Sequence, residues 1–306
     1  MEVIVADDCS TDATREVVRQ LQDPRIAFLP SSVNCGAAST RNRGIRHATG
    51  TYVAFLDADD EWLPGKLSRQ VHLMEQHPNA CVATCDCLFF DGSGLPKETF
   101  FQQRIPCDGE NAWQALLAYN FVQTSTVLAR KADLEELGGF SEALPTGEDQ
   151  DLWIRLAAHG ELVFSPNTLV HVYSEPASLA KRFQERESFL LLSIVAAQLG
   201  QQGHRLGDEQ IRSIWGQRVF DIAANLYHKK EYGRSAPLFW WSARCAFRPL
   251  KSVINVARAV GCGIFKRDGN LTFSVWSDGM SRAALPVCQR AQPTGTTATE
   301  RRRNAI

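Results

Sequence analysis

Residues 51–62 read Thr51-Tyr52-Val53-Ala54-Phe55-Leu56-Asp57-Ala58-Asp59-Asp60-Glu61-Trp62. A short apolar run closed by polar residues predicts a buried strand over Thr51–Leu56. The strand ends abruptly in acids. Open α/β sheets bind their ligands just beyond the carboxyl ends of strands, so this corner is a candidate site. Asp57, Asp59 and Asp60 repel one another unless water or a cation screens them. Mg2+ or Mn2+ suits such hard oxygen donors and keeps coordination positions open for phosphate oxygens. Taken alone, Asp57-Ala58-Asp59 reads first as a solvated acidic turn.

Upstream, Glu2–Ala6 predicts another buried strand, and it too ends in acids, Asp7 and Asp8. Ser10 or Asp12 is placed to cap a helix over Asp12–Leu21. A strand follows at Arg25–Leu29. The stretch Asn34-Cys35-Gly36, then Arg41-Asn42-Arg43-Gly44 and Gly50, is a glycine-punctuated loop running into a helix over Gly36–Ala48. Such a helix start presents amides, and here Arg41, to a phosphate. Gly44 and Gly50 also read as simple packing and helix-stop residues.

Downstream, Pro64–Glu75 predicts a helix with proline in its first turn. Cys81–Phe90 and Val122–Ala129 read as strands, Asp149–His159 as a helix, and Leu162–Ser165 and Thr168–Tyr173 as two short extended pieces. Strands alternating with helices predict an α/β layer on a mostly parallel sheet. The third acidic cluster, Gly147-Glu148-Asp149-Gln150-Asp151, begins the Asp149 helix. Acids there are favoured by the helix dipole, which gives a capping reading. The functional reading is a general base taking a proton from an attacking hydroxyl.

After about residue 180 the strands stop. Phe183–Leu199, Ile211–Tyr227, Tyr232–Phe247 and Leu250–Val260 carry helical spacing. The organisation expected is a catalytic layer over 1–180, a helical region over 181–262, and an irregular tail over 263–306. The last residues end in Arg301-Arg302-Arg303, a basic end able to touch anionic lipid headgroups. The chain of 306 residues holds 33 Lys and Arg against 34 Asp and Glu. That balance disfavours an electrostatic nucleic-acid binder. The longest strongly apolar run, Phe189–Leu199, is broken by Ser193 and Gln198 and falls short of the roughly 20 residues of a membrane span. The N-terminus lacks the pattern of a secretory signal. Scattered cysteines, 9 in all, fit a reducing cytoplasm. Cys81, Cys85 and Cys87 read as small buried residues of an apolar strand, because no second pair of zinc ligands follows.

The order of these motifs is more specific than any one of them. Strand–Asp7-Asp8, the Arg41-Asn42 loop, strand–Leu56-Asp57-Ala58-Asp59-Asp60-Glu61-Trp62 and Gly147-Glu148-Asp149-Gln150-Asp151-Leu152-Trp153 follow one another. In this the chain closely resembles the family 2, GT-A-type glycosyltransferases over roughly residues 2–180. The resemblance implies a Rossmann-like mixed, mostly parallel sheet flanked by helices. It implies inverting transfer from a nucleotide-sugar donor, a UDP-sugar first, to a saccharide or lipid-linked acceptor at the cytoplasmic face of the membrane. Asp7 and Asp8 match the acids that hold the base, and Arg41 the basic residue near uracil and phosphates. Asp57 and Asp59 match the Asp-x-Asp pair, with Asp59 as ligand to Mn2+ or Mg2+. Asp149 matches the catalytic base, with Glu148 beside it.

Two departures accompany the match. Family members place an additional strand and helix before the Asp-Asp strand, which here begins directly after Met1. The histidine of the family's later segment falls on Glu175, with His171 nearby; either residue reads as a metal ligand or as an ordinary surface or strand residue. Two alternatives remain: a non-catalytic nucleotide-sugar binder, and a phosphoryl-accepting receiver domain with Asp57 as acceptor and Lys131 as its lysine. The receiver leaves Arg41 and the Glu148-Asp149 helix without a role.

Overall fold

In a computed structural model the chain is described over residues 1–173, 179–245, 251–252, 254–256 and 259, with backbone alone for 179–189. The strands β1 (Val3–Ala6) and β2 (Ile26–Leu29) pair in parallel, Val3 opposite Ile26 and Ala6 opposite Leu29, and α1 (Thr14–Gln20) connects them. After α2 (Gly36–His47), the strands β3 (Tyr52–Ala54) and β4 (Glu61–Trp62), α3 (Lys66–Gln76), β5 (Ala80–Phe90), β6 (Pro96–Thr99), α4 (Phe100–Gln103) and α5 (Ala112–Ala118) follow. Then come β7 (Leu128–Arg130), α6 (Lys131–Glu136), α7 (Glu148–His159) and β8 (Glu161–Tyr173). The second sheet has the order β3-β7-β5-β8-β4, and β6 pairs with β5. It is mixed: β5 and β8 run parallel, while the short strands β3, β4, β6 and β7 pair antiparallel.

The long pair β5–β8 forms the spine. Ala80, Val82, Ala83, Cys85 and Cys87 are fully buried, which explains why β5 reads as a continuous apolar run rather than an alternating one. Cys85 and Cys87 therefore sit as the sequence predicts. The two expected extended pieces after residue 160 are one strand. Pro166 and Asn167 lie where the ladder skips from Ser165 opposite Cys85 to Thr168 opposite Asp86, a bulge that accommodates a residue without an N–H.

Two other elements differ from expectation. The run Val122–Ala129 is not a continuous strand: Thr124–Thr126 forms a 3-10 turn before β7. The Thr126 hydroxyl donates to the Gln123 carbonyl at 2.6 Å, a local bond that competes with the ladder. The helix expected from Pro64 starts at Lys66, because Gly65 adopts a left-handed conformation, φ 86°.

β1 and β3 are not hydrogen-bonded to each other. Side chains join the two sheets instead. Glu2 Oε1 accepts from the Thr49 amide at 2.7 Å and the Thr49 hydroxyl at 2.8 Å. Arg43 on α2 donates to the carbonyls of Asp7 at 3.0 Å and Leu29 at 2.7 Å.

The main core gathers Trp113, Leu116, Phe121, Phe140, Leu152, Trp153 and Leu162, and the helical region contributes Ile194, Val195 and Ile214 to the same cluster. These last residues belong to α8 (Leu179–Gln202) and α9 (Asp208–His228), which α10 (Tyr232–Arg244) follows. Arg218 of α9 is buried, and its guanidinium donates to the Leu116 and Leu117 carbonyls, both at 2.6 Å. It thus satisfies last-turn carbonyls of α5 that have no partner within their own helix. Most of the helix expected over Leu250–Val260, the expected irregular tail and the basic Arg301-Arg302-Arg303 end lie outside the described residues.

One backbone position couples α2 to this core. Gly139 has φ +68°, and a Cβ there would meet Asn42 Oδ1 at 2.4 Å. Asn42 Oδ1 accepts from the Phe140 amide at 2.8 Å, and Nδ2 donates to the Phe140 carbonyl at 2.9 Å. Gly139→Ala is expected to destabilise the protein by about 2–3 kcal/mol, combining positive-φ strain with loss of this buried pair. Urea unfolding checks it; a change below about 0.5 kcal/mol would show that the loop relaxes freely.

Candidate active site

The buried Asn42 anchors one side of α2 to the core, and its neighbour Arg41 faces the acidic corner. Arg41 bridges two acidic motifs: its guanidinium donates to Asp57 Oδ1 at 2.7 Å and to Glu148 Oε1 at 2.8 Å, and packs 5.5 Å from the Phe140 ring centre. The corner rests on the 3-10 turn. The Asp57 amide donates to Ser125 Oγ at 3.0 Å, and Trp62 Nε1 donates to the Ser125 carbonyl at 2.7 Å. Asp59 is exposed. Burial, joined by the charges of Asp57 and Asp59, pushes the Asp60 carboxyl up to about 6. Its Oδ1 accepts from the Tyr173 amide at 3.3 Å.

Opposite this corner α7 begins behind Gly147, itself left-handed at φ 76°. The acids of this helix start divide their tasks. Glu148 is engaged by Arg41. Asp151 is held by Arg155 Nε and Gln198 Nε2, both at 2.9 Å, and is a structural residue. Asp149 accepts from its neighbour's amide, that of Gln150, at 2.7 Å, and the Thr124 hydroxyl lies 3.5 Å from its Oδ2. No ion pair reaches Asp149 among the described residues. Burial, then the adjacent Glu148 charge, pushes the Asp149 carboxyl up to about 6, against the pull of Arg41.

The remaining candidates sit elsewhere. Asp8 accepts from the amides of Cys35 at 2.7 Å and Gly36 at 2.9 Å, across the start of α2, and Asp7 accepts from the Ser10 amide at 3.2 Å. These acids shape the loop between β1 and α2. His171 stands opposite Glu61 in the β4–β8 pairing, its Nδ1 3.2 Å from Glu61 Oε2, and the Tyr173 hydroxyl donates to the same oxygen at 3.3 Å. Glu175 lies outside the described residues. The sequence reading passes over Thr124 and Ser125, because hydroxyls within an apolar run carry no signal of the turn that places them here.

A mixed sheet with acids at its strand ends and a carboxylate-bearing helix start facing them defines the GT-A class. The mannosyltransferase PcManGT from Pyrobaculum calidifontis, solved with GDP-Man and Mn2+, has this fold at a TM-score of 0.50 and 18% identity, over 87% of this chain and 67% of that one. The chain belongs to glycosyl transferase family 2, whose profile matches residues 1–136. It is 30% identical to the Escherichia coli UDP-Glc:alpha-D-GlcNAc-diphosphoundecaprenol beta-1,3-glucosyltransferase WfaP over 63% of this chain and 75% of that one. It is 32% identical to the putative teichuronic acid biosynthesis glycosyltransferase TuaG of Bacillus subtilis over 56% of this chain and 66% of that one. These relatives make it a bacterial glycosyltransferase with kin in polysaccharide synthesis. Among the described residues no helix is long and apolar enough to cross a membrane.

Proposed function

We propose that the chain transfers a sugar from a nucleotide-diphosphate donor, a UDP-sugar first, to a hydroxyl of a saccharide or lipid-linked acceptor, with inversion. One observation carries this reading: Arg41 ties Asp57 to Glu148, so the Asp-x-Asp corner and the start of α7 are held side by side on one guanidinium. Asp149, beside Glu148, is the base. Its raised affinity for protons suits a group that must accept one near neutral pH. As the acceptor oxygen attacks the anomeric carbon, its proton passes to the Asp149 carboxylate. The new C–O bond forms opposite the breaking bond to the diphosphate oxygen. One carboxylate suffices, because the leaving group is an anion needing charge stabilisation rather than a proton.

The acidic corner fits a divalent cation. Its donors are hard oxygens, and three carboxylates within four residues, Asp57, Asp59 and Asp60, repel one another without a countercharge. Asp59, exposed at that corner, would hold Mn2+ or Mg2+, and Asp57 would help to orient the donor. A cation bound there supplies countercharge to the departing diphosphate. Asp7 and Asp8, at the end of β1, are assigned to the nucleotide base. Work at the cytoplasmic face of the membrane follows from a lipid-linked acceptor. The regions 1–180, 181–262 and 263–306 remain our division of the chain into catalytic layer, helical region and tail.

Asp59→Ala is expected to abolish Mn2+-dependent UDP binding in calorimetry; unchanged affinity would remove Asp59 from the metal site. A thermal shift with UDP and Mn2+ reports any binder. The enzyme differs from a non-catalytic binder in losing turnover on Asp149→Asn while keeping that shift.

A further inference from the structure

A second cluster of metal-ligating side chains sits at the far end of α7, about 15 Å along the helix from Asp149. Cys81 of β5, Asp133 of α6 and His159, the last residue of α7, place a sulfur, a carboxylate oxygen and a ring nitrogen all within 4.8 Å of one another. The backbone is shaped around this point. A Cβ on Gly160 would meet Cys81 Sγ at 2.2 Å and the Asn79 carbonyl at 2.7 Å, so only glycine lets α7 end against the thiol. Asp133 Oδ2 is buried without a hydrogen-bond partner, and Arg130 Nε stands 3.4 Å from it. That oxygen has a countercharge in Arg130 but no hydrogen bond, which leaves a lone pair open to a metal. His159 Nε2 lies 3.9 Å from Asp133 Oδ1 and 3.8 Å from Glu136 Oε2.

We propose that Cys81, Asp133 and His159, with Glu136 as a fourth ligand from the exposed side, form a zinc site that clips β5, α6 and α7 together. Ligand atoms around tetrahedral zinc are about 3.3–3.8 Å apart. The separations among Cys81, Asp133 and His159, at most 4.8 Å, need closure by about 1–1.5 Å; Glu136, whose Oε2 stands 3.8 Å from His159 Nε2, joins by rotation of its exposed side chain. Thiolate, imidazole and carboxylate together select zinc, whereas the all-oxygen corner at Asp59 suits Mn2+ or Mg2+. Charge balances: three anionic ligands around Zn2+ leave one negative charge, which Arg130 offsets. On binding, the Cys81 S–H bond breaks, the sulfur bonds to zinc and the proton leaves to solvent, with no change of oxidation state.

The proposal is independent of the sugar-transfer reading. The test titrates the full chain with Co2+ and competes it with Zn2+. The expected result is a thiolate-to-cobalt charge-transfer band saturating at one equivalent and displaced by Zn2+. The band disappears in Cys81→Ser, and affinity falls at least about tenfold in His159→Gln. Zn2+ should raise the melting temperature of the parent chain, less that of His159→Gln, and not that of Cys81→Ser. Asp59→Ala should keep the band, which separates this site from the catalytic corner. Absence of the band would overturn the proposal. So would its persistence in Cys81→Ser, which would assign it to another of the chain's cysteines. If Cys81→Ser does not fold, the surface variant His159→Gln decides alone: unchanged cobalt affinity there refutes the site.

Discussion

Asp149→Asn is expected to cut sugar transfer by about 10²–10⁴-fold and, at neutral pH, to make the protein more stable. Both effects have one origin. Packing and the Glu148 charge hold the Asp149 carboxyl at about 6, against an ordinary value of 3.8. A folded-state value above the unfolded one means the fold favours the protonated form. Wild-type stability is therefore lost as pH rises from about 4 through about 6, as the group ionises in an unfavourable setting. Asn mimics the protonated form and avoids that loss. At pH 7.5 the variant should gain up to about 3 kcal/mol, or several degrees in melting temperature. Near pH 4 the gain should vanish. In the wild type, kcat/KM should fall about tenfold per pH unit below about 6, because the base must be ionised to accept a proton. Retained transfer in the variant would remove Asp149 from the chemistry. A stability difference that does not change with pH would refute the account of its environment.

Arg41→Ala is expected to damage both stability and activity. Arg41 is the cation that Asp57 and Glu148 share, and it also draws Asp149 downward. Removing it leaves three carboxylates facing one another. Breaking a largely buried ion pair from one side costs about 3 kcal/mol or more, and the side chain is only 19% exposed. Without its charge the Asp149 carboxyl should rise further, so the acid limb of the pH–rate profile should move to higher pH. Arg41→Lys should recover only part of the loss, because an ammonium is a point charge and cannot donate in two directions as the planar guanidinium does. Urea unfolding and a pH–rate profile test this. An alanine variant within about 0.5 kcal/mol of wild type, with an unmoved acid limb, would show that the bridge contributes nothing.

Particular elements show how far sequence patterns reach. The limits of α2 and α7 lie within a residue of where periodicity and glycine placement put them, because helix period and stop signals act over a few residues. Glu61-Trp62 reads only as part of an acidic turn, yet it is a strand, since its partners Val170 and His171 lie far along the chain. The short helix α5 leaves no periodic signal, because Ala112–Ala118 is buried on most sides and shows no polar face from which to read a period.

From sequence alone come the alternation of strands and helices, the order of the acidic clusters at strand ends, and with them the transferase family. Those are local properties of runs, turns and caps. Tertiary structure decided the division of labour among the acids. Asp151 serves Arg155 and Gln198, Asp8 serves the start of α2, and Glu148 with Asp57 serves Arg41. It also brought Cys81, Asp133 and His159 to one point. The physical reason is separation: Arg41 and Glu148 are 107 residues apart, and only packing of α2 and α7 on a common core makes them neighbours.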